Sequence, residues 1–273
     1  MGRPTMSDFL FHPLHWLADA SIGALAVALF LLMIAAMEVC YRLGRRAVLA
    51  APAGEGLKTA TGIVTGGMLA LFAFLLGVMF SLAGDRYEKR RQSVLDEANA
   101  IGTVWLRAEL VVPEGAAIRA RLRDYLPLRV ETVRGIATEA EAARVVAETA
   151  RLQDEIWALV ATAAARTPTA VTVSLIASVN EMFDMATTNR RNFHHGVPPY
   201  VLRLVIAVAV LSVGAMGYQF GIHGHRQMVV TMLLLATWTL ALALVLDIDS
   251  AGQGSVRVSP APMIWTLESW GPR

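Results

Sequence analysis

The sequence predicts an all-α membrane protein with four membrane-spanning helices and an inserted soluble helical bundle, the second membrane helix continuing into the soluble domain. Composition is the first indication: 55% of the 273 residues are hydrophobic and 17% are charged, whereas soluble domains carry about 25% charged residues. The charge is also concentrated, because residues 85–203 hold 15 of the 22 Asp and Glu and 16 of the 24 Lys and Arg. Helical periodicity without β alternation completes the case.

Four uncharged windows are long enough to cross a bilayer, whose hydrocarbon core requires about 20 apolar residues in helical form. They are Ala20–Met37, Thr59–Gly84, Leu204–Ile222 and Gln227–Leu246. The first window has no basic segment before it and is followed directly by arginines, so we interpret it as a membrane anchor rather than a secretory signal.

These windows divide the chain into four segments. They are an N-terminal segment with spans one and two at 1–84, a soluble helical domain at 85–197, spans three and four at 198–247 and a C-terminal tail at 248–273. An even number of spans puts both termini and the charged domain on one side. That side carries nine Lys and Arg near the spans and the short loops carry five, which favours a cytoplasmic soluble domain. Arg42, Arg45 and Arg46 in the first loop oppose this assignment.

The second span has a face of small residues, which would let neighbouring helices approach closely. Its members are Gly62, Gly66, Ala70, Ala73, Gly77 and Ser81. The third span repeats the pattern with Gly214, Gly217 and Gly221.

A row of bulky apolar residues lies beside that face at four-residue intervals. It consists of Phe72, Leu76 and Phe80. One interpretation is bulk that packs against lipid or other helices, and the other is a hydrophobic pore constriction, which would gate by dewetting.

The second helix is predicted to continue to about residue 110, because no proline occurs between Gly84 and Pro113 and an apolar seam follows heptad spacing. The seam is Tyr87, Arg91, Val94, Ala98, Ile101, Trp105 and Ala108.

Three more helices are predicted in the soluble domain. The first runs from Pro113 to Gly135 with a kink at Pro127. Thr138 and Glu141 form a capping box for the second, and Thr167-Pro168 begins the third. The predicted inward residues are Ile118, Leu122, Leu126, Val130 and Val133, then Val145, Leu152, Ile156, Leu159 and Val160, then Leu175, Val179, Met182, Phe183 and Ala186.

The sequence offers no convergent set of catalytic residues, and we predict neither an enzyme nor a cofactor. The only cysteine, Cys40, is predicted to serve packing. A net charge of +2 without a basic stripe argues against nucleic acid.

Two histidine pairs and one aspartate pair are weak metal candidates. The histidine pairs, His194-His195 and His223-x-His225, lack helical ligand spacing and are interpreted as surface residues. Asp247 and Asp249 are interpreted as marking the end of the fourth span, with cation binding as the alternative.

Polar residues within the helical pattern of the soluble domain leave two alternatives open. They form either a satisfied buried network or the lining of an ion path. The residues are Glu97, Asn99, Asn180, Glu181 and Asp184.

The stretch that follows the second span resembles the bacterial bestrophin-like family. Its R-Y-E-x-R-R, E-A-N-A-I-G-T and L-R-A-x-L elements correspond here to Arg86–Arg91, Glu97–Thr103 and Leu106–Leu110, and later elements begin at Ser178 and Arg257. Pro260 and Pro127 depart from the family pattern. The signature residues are Arg86, Tyr87, Glu88, Arg90, Arg91, Glu97, Ala98, Asn99, Ala100, Ile101, Gly102, Asn180, Glu181 and Arg257.

The resemblance implies a multi-pass protein of the bacterial inner membrane with a distant likeness to bestrophins, which are pentameric anion channels. By that likeness we expect membrane lipid, further copies of the chain (a pentamer) and small anions as partners. The leading hypothesis is a homo-oligomeric ion channel, conducting anions, with the second span lining the pore. The alternative is a non-conducting sensor or scaffold that acts through its soluble bundle.

Overall fold

The structure is a computed structural model, and it describes residues 22–51, 53–136, 138–194, 196–250 and 254–271. These ranges contain eight α-helices and no strand, which confirms the all-α class. The helices are α1 (Ile22–Ala50), α2 (Glu55–Glu109), α3 (Glu114–Arg134), α4 (Glu139–Arg166), α5 (Ala170–His194), α6 (Pro199–His223), α7 (Met228–Asp249) and α8 (Ala261–Ser269).

Four helices are long and apolar enough to span a bilayer. They are α1, α2, α6 and α7, and their most apolar 18-residue windows have mean hydropathies of 2.5, 2.3, 2.0 and 2.4. The predicted windows lie in these helices, except that residues 20 and 21 fall outside the described residues and Gln227 directly precedes α7. The protein is therefore a multi-pass membrane protein.

The helices form two compact units. The first, which we call the membrane unit, comprises Met1–Gly84 and Val197–Asp249. The second, which we call the bundle unit, comprises Asp85–Gly196 and Ser250–Arg273. Helix α2 is continuous through Gly84 and Asp85, so it contributes its first half to the membrane unit and its second half to the bundle unit.

The membrane unit is organised by a close crossing of α1 and α6. A Cβ on Gly217 would stand 2.3 Å from the carbonyl oxygen of Met37, and a Cβ on Gly221 would stand 2.3 Å from that of Tyr41. The sulfur of Cys40 lies against Gly214 in the same contact. Small residues are required here because two helix backbones can touch only where no side chain separates them.

The bundle unit has one apolar core, built from the stripes that the sequence predicts. Ile118, Leu122 and Leu126 on α3 are fully buried, as are Leu175, Val179 and Met182 on α5. On α4, Val145, Leu152, Ile156 and Val160 are buried and Leu159 is partly buried. The hydroxyl oxygen of Thr138 accepts a 3.2 Å hydrogen bond from the backbone N–H of Glu141 and caps α4.

Two details differ from the sequence prediction. The buried basic residue of the α2 seam is Arg90, and Arg91 is exposed, because position 90 continues the spacing of the buried Val94 and Glu97. Helix α3 contains Pro127 and is one continuous helix to Arg134, and the predicted kink at Pro127 stays a prediction. Helix α8 lies in the segment predicted as a tail; Pro260 directly before its first residue was the available sequence signal, and its Met263 is buried.

We predict that Gly217→Ala destabilises the membrane unit by about 1–3 kcal/mol, the usual cost of overpacking a filled contact. The added Cβ would overlap the Met37 carbonyl oxygen, so α1 and α6 must separate. The measurement is unfolding of the purified protein in a mixed-detergent titration.

The matched control is Gly67→Ala, because a Cβ at Gly67 meets nothing within 4 Å. Helix propensity alone makes this control neutral or stabilising by up to about 1 kcal/mol. Equal stability of the two variants would contradict the close crossing.

Candidate functional site

One face of α2 in the membrane unit is sealed within the protomer. Thr65, Phe72 and Met79, spaced seven residues apart, are almost fully buried. The ring of Phe72 meets the ring of Trp238 on α7 edge-on, with centroids 4.8 Å apart. On α6, the Ser212 hydroxyl donates a 3.0 Å hydrogen bond to the carbonyl oxygen of Met68. This seam fixes the rotation of α2 about its own axis.

The predicted small-residue face is the open side of α2. Gly66, Ala70, Ala73, Gly77 and Ser81 are exposed, and Gly62 is half-buried beside Gln219. A Cβ on Gly66 or Gly77 would meet no atom within 4 Å, so no other part of the described chain covers these positions. We call this surface the open face of α2.

The predicted row of bulky residues does not lie on one surface of the protomer. Phe72 is fully buried, Leu76 is half-buried and Phe80 is 50% exposed. A four-residue step turns the helix by 400°, so such a row drifts 40° at each step. The drift carries the row from the sealed seam toward the surface. The pore constriction itself stays a prediction.

An aromatic residue that sequence reasoning missed lies on the open face. Phe74 is 66% exposed, four residues after Ala70 and three before Gly77. Ala70, Phe74 and Gly77 follow an i, i+4, i+7 spacing, which was a sequence signal for this position. The longer row that begins at Phe72 directed the prediction to a different side of the helix.

The bundle unit contains a buried polar network centred on Glu97, the first residue of the E-A-N-A-I-G motif. Glu97 is fully buried, and its carboxylate accepts hydrogen bonds from Nε and, at 3.3 Å, from Nη2 of Arg129 on α3. The side-chain amide of Asn189 on α5 donates to the same carboxylate, and Ser93 donates to Asn189 Oδ1 at 3.1 Å. Three helices are thereby joined around one carboxylate.

The electrostatics of this network favour the charged form of Arg129. Burial disfavours the charged form of Arg129, but the adjacent Glu97 carboxylate outweighs it and raises the pKa of the Arg129 guanidinium. Arg129 also lies beside Tyr125, whose hydroxyl accepts a 3.2 Å hydrogen bond from Gln153. Burial raises the pKa of Tyr125 to about 12, and the negative charge of Glu97 adds to the rise against the opposing effect of Arg129.

The other polar candidates of the bundle are not part of this network. Asn99, Asn180, Glu181 and Asp184 are exposed on the outer sides of α2 and α5. Arg129 and Asn189 complete it instead; both were hidden in the sequence because each is a single polar residue within an apolar stripe.

The remaining signature residues fall into two groups. Ala98, Ala100 and Ile101 are buried in the core, Arg90 is buried, and Tyr87 packs against the core. Glu88 and Arg91 are exposed and lie 3.5 Å apart, Arg86 and Gly102 are half-buried, and exposed Arg257 donates a 3.0 Å hydrogen bond to the carbonyl oxygen of Gly254.

Among the metal candidates, Asp249 has a structural contact. An oxygen of the Asp249 carboxylate accepts a 2.7 Å hydrogen bond from the N–H of Val197 just before α6, and Asp247 is buried. His223 and His225 are exposed. The His194 side chain and His195 lie outside the described residues. The described parts of the chain hold no group of three or more His, Cys, Asp or Glu arranged for a metal.

A stacked aromatic pair holds α8 in the bundle unit. The rings of Trp105 and Trp270 are parallel within 5° with centroids 4.1 Å apart, and the Arg119 guanidinium lies 4.1 Å from the Trp105 ring centroid. Arg123 donates a 2.7 Å hydrogen bond to the carbonyl oxygen of Trp270. The conspicuous Trp105 of the signature region therefore serves docking of the C-terminal helix.

We predict that Arg129→Met destabilises the bundle unit by about 3–5 kcal/mol, because it leaves the Glu97 carboxylate buried without its cation. The double variant Glu97→Leu/Arg129→Met should recover a large part of this loss. Chemical denaturation followed by circular dichroism measures both.

The control is Arg144→Met, which removes an exposed ion pair to Glu131 with a 2.7 Å separation. Exposed pairs contribute about 0–1 kcal/mol. If Arg144→Met and Arg129→Met cost the same, the buried network does not hold the helices together.

We also predict an alkaline stability loss that depends on Tyr125. With a folded pKa of about 12 against an ordinary 10.0, the stabilising effect is complete below pH 10. Above it the unfolded phenol ionises while the folded one stays protonated, so the free energy of unfolding falls by about 1.4 kcal/mol per pH unit until pH 12.

Denaturation at a series of pH values from 8 to 12 checks this sign and window. Tyr125→Phe should remove this component of the slope, and Tyr200→Phe, at an exposed position, should retain it. An unchanged slope in Tyr125→Phe would refute the assignment.

Comparison with known proteins agrees with this architecture. A family model of the Bestrophin-like domain matches residues 30–263. A crystal structure of a membrane protein has a similar fold, with a TM-score of 0.61 and 14% sequence identity over 91% of this chain and 96% of that chain. No curated protein matches the sequence. Because the match extends over most of the chain and includes the signature around Glu97, this protein belongs to the Bestrophin-like domain family.

Proposed function

We propose that this protein is an ion channel formed by several copies of the chain, with α2 lining the pore, and that it is not an enzyme. The observation that carries the proposal is the division of α2 into a sealed seam and an open face. The seam attaches the helix to α6 and α7 of its own protomer. The open face remains available to other copies.

Assembly is supported by the residue types of the open face. Gly66, Ala70, Ala73 and Gly77 allow close approach of a neighbouring backbone, and within a bilayer dispersion and weak polar contacts drive such association. One helix cannot enclose an aqueous path, so a pore lined by α2 needs several copies. The bestrophin likeness supports five.

A constriction is supported by the exposed aromatic residues. Phe74 and Phe80 are 66% and 50% exposed on a helix otherwise rich in small residues. Repeated around a central axis, such side chains would form an apolar ring that closes by expelling water. Phe72 is a poor candidate, because lining a pore would require it to leave its contact with Trp238.

The ion and the orientation rest on other arguments. The resemblance to bestrophins supports anions. The excess of Lys and Arg near the spans on the side of the bundle unit supports a cytoplasmic location for that unit. The resemblance to the bacterial bestrophin-like family supports the bacterial inner membrane as the host membrane.

A second candidate function is favoured by exposed apolar residues at the end of α2 in the bundle unit. Leu106, Leu110 and Val112 are 66%, 69% and 81% exposed. Apolar residues grouped in this way on a charged domain are typical of a protein-binding surface. A non-conducting sensor or scaffold would use this surface and would need no pore.

We predict anion flux from liposomes that contain the purified protein, and a several-fold rise or a loss of gating in Phe74→Ala/Phe80→Ala, because smaller side chains let water remain in the constriction. The measurement is chloride efflux at equal amounts of inserted protein. Absence of flux in both proteins, with both folded and inserted, would favour the scaffold.

The control is Leu71→Ala, which removes apolar bulk from a different exposed side of α2 and should conduct like the wild type.

Gly77→Leu separately tests assembly, because a leucine on the open face prevents close approach of helices. It should lower the oligomer fraction in gentle detergent. An unchanged oligomer would exclude the open face from the subunit interface.

A further inference from the structure

Five basic side chains collect at the end of the membrane unit that carries the two short interhelical loops. Four come from the end of α1 and the turn between α6 and α7, and the fifth from the first turn of α2. They are Arg42, Arg45, Arg46, Arg226 and Lys58. We call this group the loop-side basic cluster. Only two carboxylates, Glu38 and Glu55, accompany it in these segments, so three positive charges remain in excess.

The fold brings the end of α1 and the α6–α7 turn together. The backbone nitrogen of Arg45 lies 2.8 Å from the position of a Cβ on Gly221, and its guanidinium lies 3.2 Å from that of a Cβ on Gly224 in the α6–α7 turn. Arg226 in that turn stands over the Tyr41 ring, 4.0 Å from its centroid. The close crossing of α1 and α6 therefore brings the arginines of α1 and of the α6–α7 turn to the same end of the membrane unit.

Helix α2 enters the membrane unit beside the same two helices. A Cβ on Gly62 would stand 3.2 Å from the side-chain nitrogen of Gln219. Lys58 precedes Gly62 by one turn of α2, and His223 follows Gln219 by one turn of α6. Lys58 is thereby at the end of the unit where α6 ends.

We propose that the loop-side basic cluster binds the phosphate of an anionic phospholipid headgroup, such as that of phosphatidylglycerol. This inference is independent of ion conduction and of the subunit number.

The depth of the cluster matches that of lipid phosphates. Arg226 directly precedes the uncharged stretch of α7, and its contacts with Glu38 and Tyr41 put those residues at the same depth. Arg45 follows Glu38 by seven residues, about 10 Å along a helix. The polar layer outside the hydrocarbon core is about 5–8 Å thick, and an arginine side chain can extend back to it.

Glu38 and Glu55 pair with some of the basic residues of the cluster, and other arginines remain available to a ligand. Glu38 accepts from Arg42 at 2.8 Å and from Arg226 at 3.3 Å, and Glu55 lies 2.7 Å from Lys58. Within the described residues, neither Arg45 nor Arg46 forms an ion pair. Both are exposed. A guanidinium presents paired donors that match phosphate oxygens, so these two residues are the predicted primary ligands.

The test is native mass spectrometry of the purified full chain, titrated with phosphatidylglycerol or with phosphatidylcholine of the same acyl chains. We expect tighter binding of phosphatidylglycerol by the wild type. Arg45→Gln/Arg46→Gln should weaken that binding roughly 30-fold, since each cation near an anionic surface contributes about fivefold. Phosphatidylcholine binding should not change. Arg46→Gln alone, at a position without a described contact, should weaken it about fivefold.

The control variant Arg134→Gln/Arg144→Gln removes the same charge from the bundle unit and should bind like the wild type. Three results would overturn the proposal: equal affinity for the two lipids in the wild type, unchanged affinity in Arg45→Gln/Arg46→Gln, or an equal loss in the control. Displacement of the lipid by millimolar inorganic phosphate would also overturn it, because the ligand would then be a soluble anion.

Discussion

Backbone hydrogen bonding in hydrocarbon is the constraint on which this structure depends. Lipid offers no partner for an N–H or C=O group, so each membrane segment must satisfy its own backbone as a helix. Helix α2 meets this requirement and then continues for 25 residues past Gly84. In the membrane unit the helix buries Thr65, Phe72 and Met79, and in the bundle unit it buries Val94 and Ile101.

The two units stabilise their helices by different physics. In the membrane unit, Gly217 and Gly221 bring two helix backbones into contact. Close packing drives this association, because no hydrophobic effect acts between apolar side chains that are surrounded by lipid. In the bundle unit, burial of apolar stripes is favourable in water, and one charged network crosses the core at Glu97 and Arg129. Removal of such ions from water is costly unless they are paired and hydrogen-bonded, and Arg129 on α3 and Asn189 on α5 supply these partners to Glu97 on α2.

The surface left over by this packing contains the functional candidates. Because the seam uses one side of α2, Gly66, Phe74 and Gly77 remain on the other. At the loop side, the crossing of α1 and α6 brings Arg45 close to the α6–α7 turn. The glycines of this crossing, Gly217 and Gly221, therefore influence both the helix packing and the position of the loop-side arginines.

The sequence by itself determined the helical class, the four spans, the long second helix and the inward stripes of α3, α4 and α5. These features follow from the length of apolar segments, from apolar periodicity and from helix caps, which are all local properties of the chain. It also identified the family through the residues around Glu97. Only the tertiary structure decided that Phe72 faces Trp238, that Asn99 and Asn180 are exposed, and that Glu97 pairs with Arg129. The physical reason is that the partner of a buried residue lies far away in sequence, 32 residues for Glu97 and Arg129 and 166 for Phe72 and Trp238, where periodicity carries no information.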